Sequence, residues 1–380
     1  MKIEEITLSV FETKSNTGLF ELHRVAVGGG RSRWVRKAAS SPSRELHVLH
    51  VLTDDGVEGI CTVGDARYTM MRTEDLEQLR ILAIGEDPLE RERLYGKCKA
   101  ATRGMFTAYG WHGAFDNCLW DVAGKAEGKS VSELVGQGRL CCPAYYNFGG
   151  TSPETAAEDA TRAVSTGFTA IKDHFHGTGE ENAAWFEAAR AAVGPDIDLM
   201  HDAAGCDYSV EEAVEVARVL ESLEFGWFEE PLDDRDLAGL QKLCAGVAIP
   251  VLAPETMMND IDLSRSWLTA GATDKLRVNG RIGATAYLEL AALALSWGTT
   301  VEPNGPGGLF GHVHAHLCCA VKNTTYYEYF PNGSRDEAGK EIGLVNPPVP
   351  ANGKITPSGL PGWGAEWDRA YFEKQRVEIR

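Results

Sequence analysis

Seven polar residues recur along the middle of the chain: His174, Asp202, Glu229, Glu255, Asn279, Asn304 and Glu328, in steps of 28, 27, 26, 24, 25 and 24 residues. Asp202, Glu229 and Glu255 are hard oxygen donors, the kind a divalent cation takes. Histidine titrates near neutrality, so His174 suits proton transfer at pH 7. Lys172 stands at i−2 from His174, and on a strand the two side chains would share one face.

The elements that must bring these residues together are readable around them. Each residue closes, or nearly closes, a short apolar run: TAIKDH, IDLMHD, GWFEE, PVLAPE, DKLRVN, TTVEPN and YYEYF. Helical stretches such as EENAAWFEAARAAV and SVEEAVEVARVLESL separate the runs. Strand and helix alternating at this pitch form βα units that close into a parallel barrel. CCPAYYNFGG (141–150) supplies a strand before the series. Active sites in such barrels sit at the C-terminal strand ends. Three carboxylates on consecutive strand ends therefore define a divalent metal site at the barrel mouth. If Glu229 of GWFEE faces the mouth, Glu230 faces the opposite side of the strand.

Residues 1–135 differ in pattern and are expected to form an α+β domain. ITLSVFE and RELHVLHVLTDDGVEGICTVG alternate apolar and polar positions, the mark of half-buried antiparallel strands. Between them runs VGGGRSRWVRKAASSPS, which reads as a long loop over residues 30–41. Helical patterns follow in DLEQLRILAIG, PLERERLYGKCKA and HGAFDNCLWDVAGKAEG. The barrel is assigned to 136–335, and the Pro- and Gly-rich tail, 336–380, is expected to return to the N-terminal domain.

Charge narrows the partners. A net charge of −18 argues against nucleic acid and anionic membranes. Any anionic substrate must then meet a local cation. Arg31 and Arg33, with Arg36 and Lys37, supply one candidate cluster; a solvated basic loop is the other reading of the same residues. No apolar run is long enough for a membrane span, and MKIEEITLSVFE reads as a strand rather than a signal peptide. The nine cysteines include no CxxC pair, so free thiols and a cytoplasmic location are expected. A homo-oligomer is expected as well.

LTDDGVEG, LWDVAGKAEGKSVSELVG, GFTAIKDH, WFEEPL, VLAPET and GRIGATAY, taken in order with the tail, resemble the mandelate racemase branch of the enolase superfamily. The resemblance covers nearly the whole chain. It implies an α+β capping domain built from both termini and a modified (β/α)7β barrel. It also implies Mg2+ and abstraction of the proton α to a carboxylate. By the same resemblance Asp202, Glu229 and Glu255 match the metal ligands. Lys172 matches a residue holding the substrate carboxylate, and His174 stands where a lysine base is usual. Glu328 matches an acid that donates a hydrogen bond to the substrate, which requires a raised pKa.

The departures are informative. Relatives carry a histidine ending strand seven, oriented by an aspartate ending strand six. Here the first position is Asn304, and the second is Val278 or, with a shift of one residue, Asn279. Arg277 is the nearest cation, a poor base but a candidate substrate contact alongside Asn279. Racemisation through two bases needs an acceptor on each face of the α-carbon, and this chain offers one, His174. A one-sided lyase fits better: dehydration of an acid sugar to a 2-keto-3-deoxy acid. The rivals are a lactone cycloisomerase or one-sided epimerase of the same fold, and a non-catalytic binding protein. His312 and His316, four residues apart, read as structural rather than as zinc ligands. NGPGGLFG (304–311) reads as a tight loop exposing its backbone.

Overall fold

The computed structural model describes all residues except 15–18, 29–30, 41–42, 65–70, 137, 306, 332–334 and 336, and the side chains of 14, 27, 28, 31 and 33 also lie outside the described set. Five strands open the chain: β1 (Ile3–Lys14), β2 (Leu19–Gly28), β3 (Arg31–Ser40), β4 (Ser43–Thr53) and β5 (Glu58–Thr62). β1, β4 and β5 pair antiparallel, as their alternation requires. The segment read as a long loop is instead a second hairpin, β2 with β3. Its strands follow no strict alternation and both faces meet solvent, so the pattern lacked a buried apolar side to declare it.

Helices α1 (Thr73–Ala83), α2 (Arg91–Met105), α3 (Gly113–Glu127) and α4 (Val131–Val135) follow. Every residue of α3 from Gly113 to Gly124 is buried. The helix is therefore a strut between the N-terminal sheet and the barrel. Burying Phe115, Leu119 and Val122 contributes about 1.5–3 kcal/mol each. A Cβ at Gly113 would lie 1.8 Å from the carbonyl oxygen of Arg281, a backbone approach that only glycine permits.

The barrel strands are β6 (Cys142–Asn147), β7 (Ala170–Asp173), β8 (Asp198–Asp202), β9 (Phe225–Glu229), β10 (Val251–Ala253), β11 (Lys275–Val278), β12 (Val301–Pro303) and β13 (Tyr327–Tyr329). Helices α5 (Pro153–Ser165), α6 (Gly179–Val193), α7 (Val210–Ser222), α8 (Leu237–Gly246), α9 (Ile261–Thr269), α10 (Ala284–Ser296) and α11 (Gly308–Ala320) alternate with them. The parallel ladder runs β12-β11-β10-β9-β8-β7-β6-β13. Its seam is tied by the Glu302 carboxylate, which accepts from the Thr325 and Tyr326 amides at 3.2 and 3.3 Å.

Local chemistry sets where the helices begin. Ser152, Thr178 and Ser209 each form a capping box with the residue three positions on, so α5, α6 and α7 start just past their strand ends. Along the strands, period two sorts the side chains. Tyr145, Ala170, Met200, Trp227, Leu252 and Tyr326 form an apolar layer inside the barrel. Two residues further on come Asn147, Lys172, Asp202, Glu229 and Glu328, the polar layer above it.

β14 (Lys354–Ile355) pairs with β6, α12 (Arg369–Gln375) sets Phe372 edge-on to Phe11, and β15 (Arg376–Ile379) extends the first sheet along β1. All nine cysteines are free thiols, with Cys318 and Cys319 buried on α11. Among the described residues no helix is long and apolar enough to cross a membrane.

Candidate active site at the barrel mouth

All seven spaced residues, with Lys172 and Arg277, form one connected network at the C-terminal strand ends. Lys172 Nζ lies 3.1, 2.8 and 2.9 Å from carboxylate oxygens of Asp202, Glu229 and Glu328. Burial opposes its charge, but Glu229, Glu328 and Asp202 outweigh that and hold the ammonium well above its ordinary range. His174 sits on the rim with its side chain 31% exposed, its Nε2 3.0 Å from Asp202 Oδ2. It is the titratable nitrogen in this network that solvent, and hence a substrate, can reach.

Arg277 lies deeper, only 1% exposed. Its guanidinium is 2.6 Å from Glu229 Oε1 and donates to Glu255 Oε2 and Glu328 Oε2 at 3.0 Å each. Arg277 was expected to contact substrate; in the fold three carboxylates surround it below the mouth. It is an internal counter-ion. Asn279 is fully buried too: it donates to Asn304 Oδ1 at 3.1 Å and accepts from the Arg281 amide at 2.9 Å. Asn304 in turn donates to Glu255 Oε1 at 2.6 Å. The two amides are thus coupled across strand ends six and seven, and they orient Glu255 rather than open toward a ligand.

Glu328 differs from its expected protonation. Burial pushes its carboxyl up, but Lys172, Arg277 and Arg335 hold it well below the usual carboxylate range. Its oxygens accept from Arg277, Asn147 and the Gly305 amide. It is an ionised acceptor, not a hydrogen-bond donor. The expected raised pKa presumed fewer cations around it than the fold supplies.

Glu230 also differs. Its backbone takes a left-handed φ of 46°, which breaks the strand alternation just past β9. Its carboxylate consequently turns to the mouth, where oxygens of Asp202, Glu229 and Glu230 all lie within 4.8 Å of one another. Glu255 stands beside this trio, engaged with Arg277 and Asn304. The charge balance favours a cation: Asp202, Glu229, Glu230, Glu255 and Glu328 face two buried permanent cations, Lys172 and Arg277. Burial and mutual repulsion push Glu229 up to about 7 and Glu230 well above its ordinary value. A divalent ion in an oxygen-only donor set relieves that excess, so these residues fit Mg2+.

Behind the polar layer, Asp173 and His201 are directly paired across β7 and β8, with His201 Nδ1 2.7 Å from Asp173 Oδ1. Each immediately adjoins a mouth residue in sequence, His174 and Asp202. Burial opposes charge on His201, yet Asp173 raises it to about 9. This outward pair ties together the strand ends that carry His174 and Asp202.

Of the remaining expectations, Arg31 and Arg33 lie on β3, with side chains outside the described residues. His316 bonds Ser132 and the Trp363 carbonyl at 3.2 and 3.1 Å, the structural role expected of it, and His312 is buried on the same helix. Sequence reasoning missed Asn147, Glu230 and Arg335. Asn147 follows Tyr145 at the same two-residue step that places Lys172 after Ala170, so the pattern could have found it. Arg335, whose guanidinium stacks 3.5 Å over Phe330, comes from the patternless stretch after β13 and left no signal.

Known proteins share this architecture. Residues 155–371 match the family model of the enolase C-terminal domain-like fold, and residues 33–136 match that of the mandelate racemase/muconate lactonizing enzyme N-terminal domain. The chain is 30% identical over 278 residues to D-galactarolactone cycloisomerase of Agrobacterium fabrum, covering 69% of this chain and 71% of that one. It is 27% identical to arabinonate dehydratase of Saccharolobus solfataricus over 364 residues, 90% and 93% of the two chains. The crystal structure of D-glucarate dehydratase from Agrobacterium tumefaciens complexed with magnesium superposes over 100% of both chains, with a TM-score of 0.83 and 28% identity. The chain therefore belongs to the mandelate racemase/muconate lactonizing enzyme branch of the enolase superfamily, as an enzyme related to that branch's dehydratases.

Proposed function

We propose that the chain dehydrates an acid sugar to a 2-keto-3-deoxy acid in a Mg2+-dependent reaction that begins with loss of the proton α to the carboxylate. The observation that carries this reading is the asymmetry of the mouth. His174 lies on one wall, 3.0 Å from Asp202, while the opposite wall holds the coupled amides of Asn279 and Asn304. Mg2+, when bound, supplies a Lewis acid that polarises the substrate carboxylate and lowers the acidity barrier at the α-carbon.

Asp202 and Glu229 are assigned to hold that ion with Glu255, the set the family resemblance gives. Convergence of Asp202, Glu229 and Glu230 supports Glu230 as third ligand instead. Mg2+ affinity separates the two: Glu255→Gln weakens it in the first case, Glu230→Gln in the second.

The chain's own residues do the rest. Lys172, buried against Asp202, Glu229 and Glu328, offsets the negative charge of the site and of the substrate carboxylate above it. His174 takes the α-proton on the ring nitrogen turned away from Asp202, and the Nε2–H facing Asp202 steadies the resulting imidazolium. The β-carbon–oxygen bond then breaks as His174 returns that proton to the departing hydroxyl, releasing water. The enol left behind tautomerises to the keto acid. One face suffices for the whole sequence.

Relatives named as a lactone cycloisomerase and a 3,6-anhydro-D-galactonate cycloisomerase support a second reading, ring opening or closing from the same single face. A screen of acid sugars and their lactones with Mg2+ decides. Formation of a 2-keto-3-deoxy acid with loss of water supports dehydration. A product isomeric with its substrate refutes it and supports the cycloisomerase.

A further inference from the structure

The two-residue step that orders the strands continues one layer above the buried charges. His174 follows Lys172 and Phe330 follows Glu328, so both side chains rim the mouth. Their rings lie 5.8 Å apart, tilted by 42°. Gly305, in the loop after β12, lets Phe330 pack this far in: a Cβ there would lie 2.9 Å from Phe330 Cε2 and 2.7 Å from Glu328 Cγ. Arg335 completes this wall. Its guanidinium stacks 3.5 Å over the Phe330 ring, and its Nη1 donates to the Gly305 carbonyl. Half-buried, it stands one aromatic ring away from His174, whereas Lys172 and Arg277 lie enclosed among carboxylates below.

On a chain carrying −18, a second negative charge on a substrate is repelled unless a fixed cation meets it. A guanidinium held flat on an aromatic ring is a planar fork already set for a carboxylate, so little side-chain freedom is lost on binding. Distance sets the length of the ligand. Laid end to end, the two ring separations put Arg335 Cζ no more than about 9 Å from the centre of the His174 ring. From an α-carbon beside His174, the four carbon–carbon bonds to the far end of a six-carbon acid reach about 5 Å. Contacts of about 3 Å at each end cover the rest. Resting on the acid-sugar reading above, we propose that Arg335 binds the second carboxylate of a hexaric acid, so that the chain selects dicarboxylate over monocarboxylate acid sugars.

Kinetics in Mg2+ on a panel of hexaric acids, each paired with the hexonic acid of the same configuration, test the proposal. The wild type favours one hexaric acid over its hexonic partner by about thirtyfold or more in kcat/KM, and Arg335→Gln lowers that ratio about tenfold or more. Arg335 also helps keep Glu328 ionised, so its loss slows both substrates, and only the distal contact changes their ratio. Arg335→Lys, which keeps the charge without the fork, keeps an intermediate ratio. Calorimetric titration of the same pairs reads the preference as affinity, independently of turnover. A wild-type ratio near one, a ratio unchanged in Arg335→Gln, or failure of every hexaric acid to bind overturns the proposal. A product isomeric with its substrate, formed with the ratio and its loss intact, overturns the dehydration reading and leaves Arg335 in its role.

Discussion

Arg277→Met removes the one guanidinium lying among Glu229, Glu255 and Glu328 while keeping an unbranched apolar stem. Its three contacts, at 2.6, 3.0 and 3.0 Å, each correspond to roughly 5–6 kcal/mol of gross attraction at an effective dielectric near 20. Burying the guanidinium offsets much of that sum. What remains after one partner of a buried ion pair is deleted is a loss of about 3–5 kcal/mol, because the carboxylates stay buried with Lys172 as their main counter-charge. A divalent ion restores positive charge at the same place, so the variant should gain more stability from Mg2+ than the wild type does. Saturation at a hundredfold over the dissociation constant is worth about 2.7 kcal/mol, to be compared between the two proteins. Urea denaturation in EDTA and in excess Mg2+ measures both effects. Arg277→Lys, which keeps charge but not the planar fork, should fall between. A variant within about 1 kcal/mol of wild type in EDTA, with the same increment from Mg2+, would refute the counter-ion assignment.

Two further outcomes follow from the strand-end pair and the strut helix. His201 is raised to about 9 in the fold by Asp173, against burial. Its contribution, roughly 3 kcal/mol, is therefore fully present below about pH 6.5 and is lost as pH rises through about 9. In EDTA, the stability gap between wild type and His201→Gln should shrink over that window; a gap that is flat or widens from pH 6 to 9.5 contradicts the pairing. Gly113→Ala places a Cβ 1.8 Å from the Arg281 carbonyl oxygen. It should cost about 3 kcal/mol or more by forcing α3 off the strand-six loop, and a thermal melt matching wild type would show that the contact yields.

The barrel was legible because each βα unit repeats one local rule. IDLMHD and GWFEE alternate inward and outward positions, so fixing Asp202 at one strand end fixes Met200 in the apolar layer below it. The connectivity of the mouth was not legible in the same way. Whether Arg277 contacts a substrate or three carboxylates depends on how deep the guanidinium sits relative to Glu229 and Glu328, residues 48 and 51 positions away. The expected protonation of Glu328 came from the family resemblance; Arg335 and the Gly305 amide, which help keep it ionised, come from loops without periodicity. Glu230 escaped because strand alternation was carried one residue too far, past the point where φ turns positive. The β2–β3 hairpin was read as a loop because neither of its faces is covered by the rest of the chain, so solvent exposure hid its strand pattern.

The central claim is that one residue, His174, moves the α-proton from one face. Turnover in D2O with a productive acid sugar and Mg2+, followed by NMR at the α-carbon, tests it most directly. Wild type should give the 2-keto-3-deoxy acid without forming the α-epimer of its substrate. His174→Asn should lose both turnover and α-deuterium exchange while Mg2+ affinity is kept. Exchange persisting in His174→Asn, or an α-epimer appearing with the wild type, would contradict it.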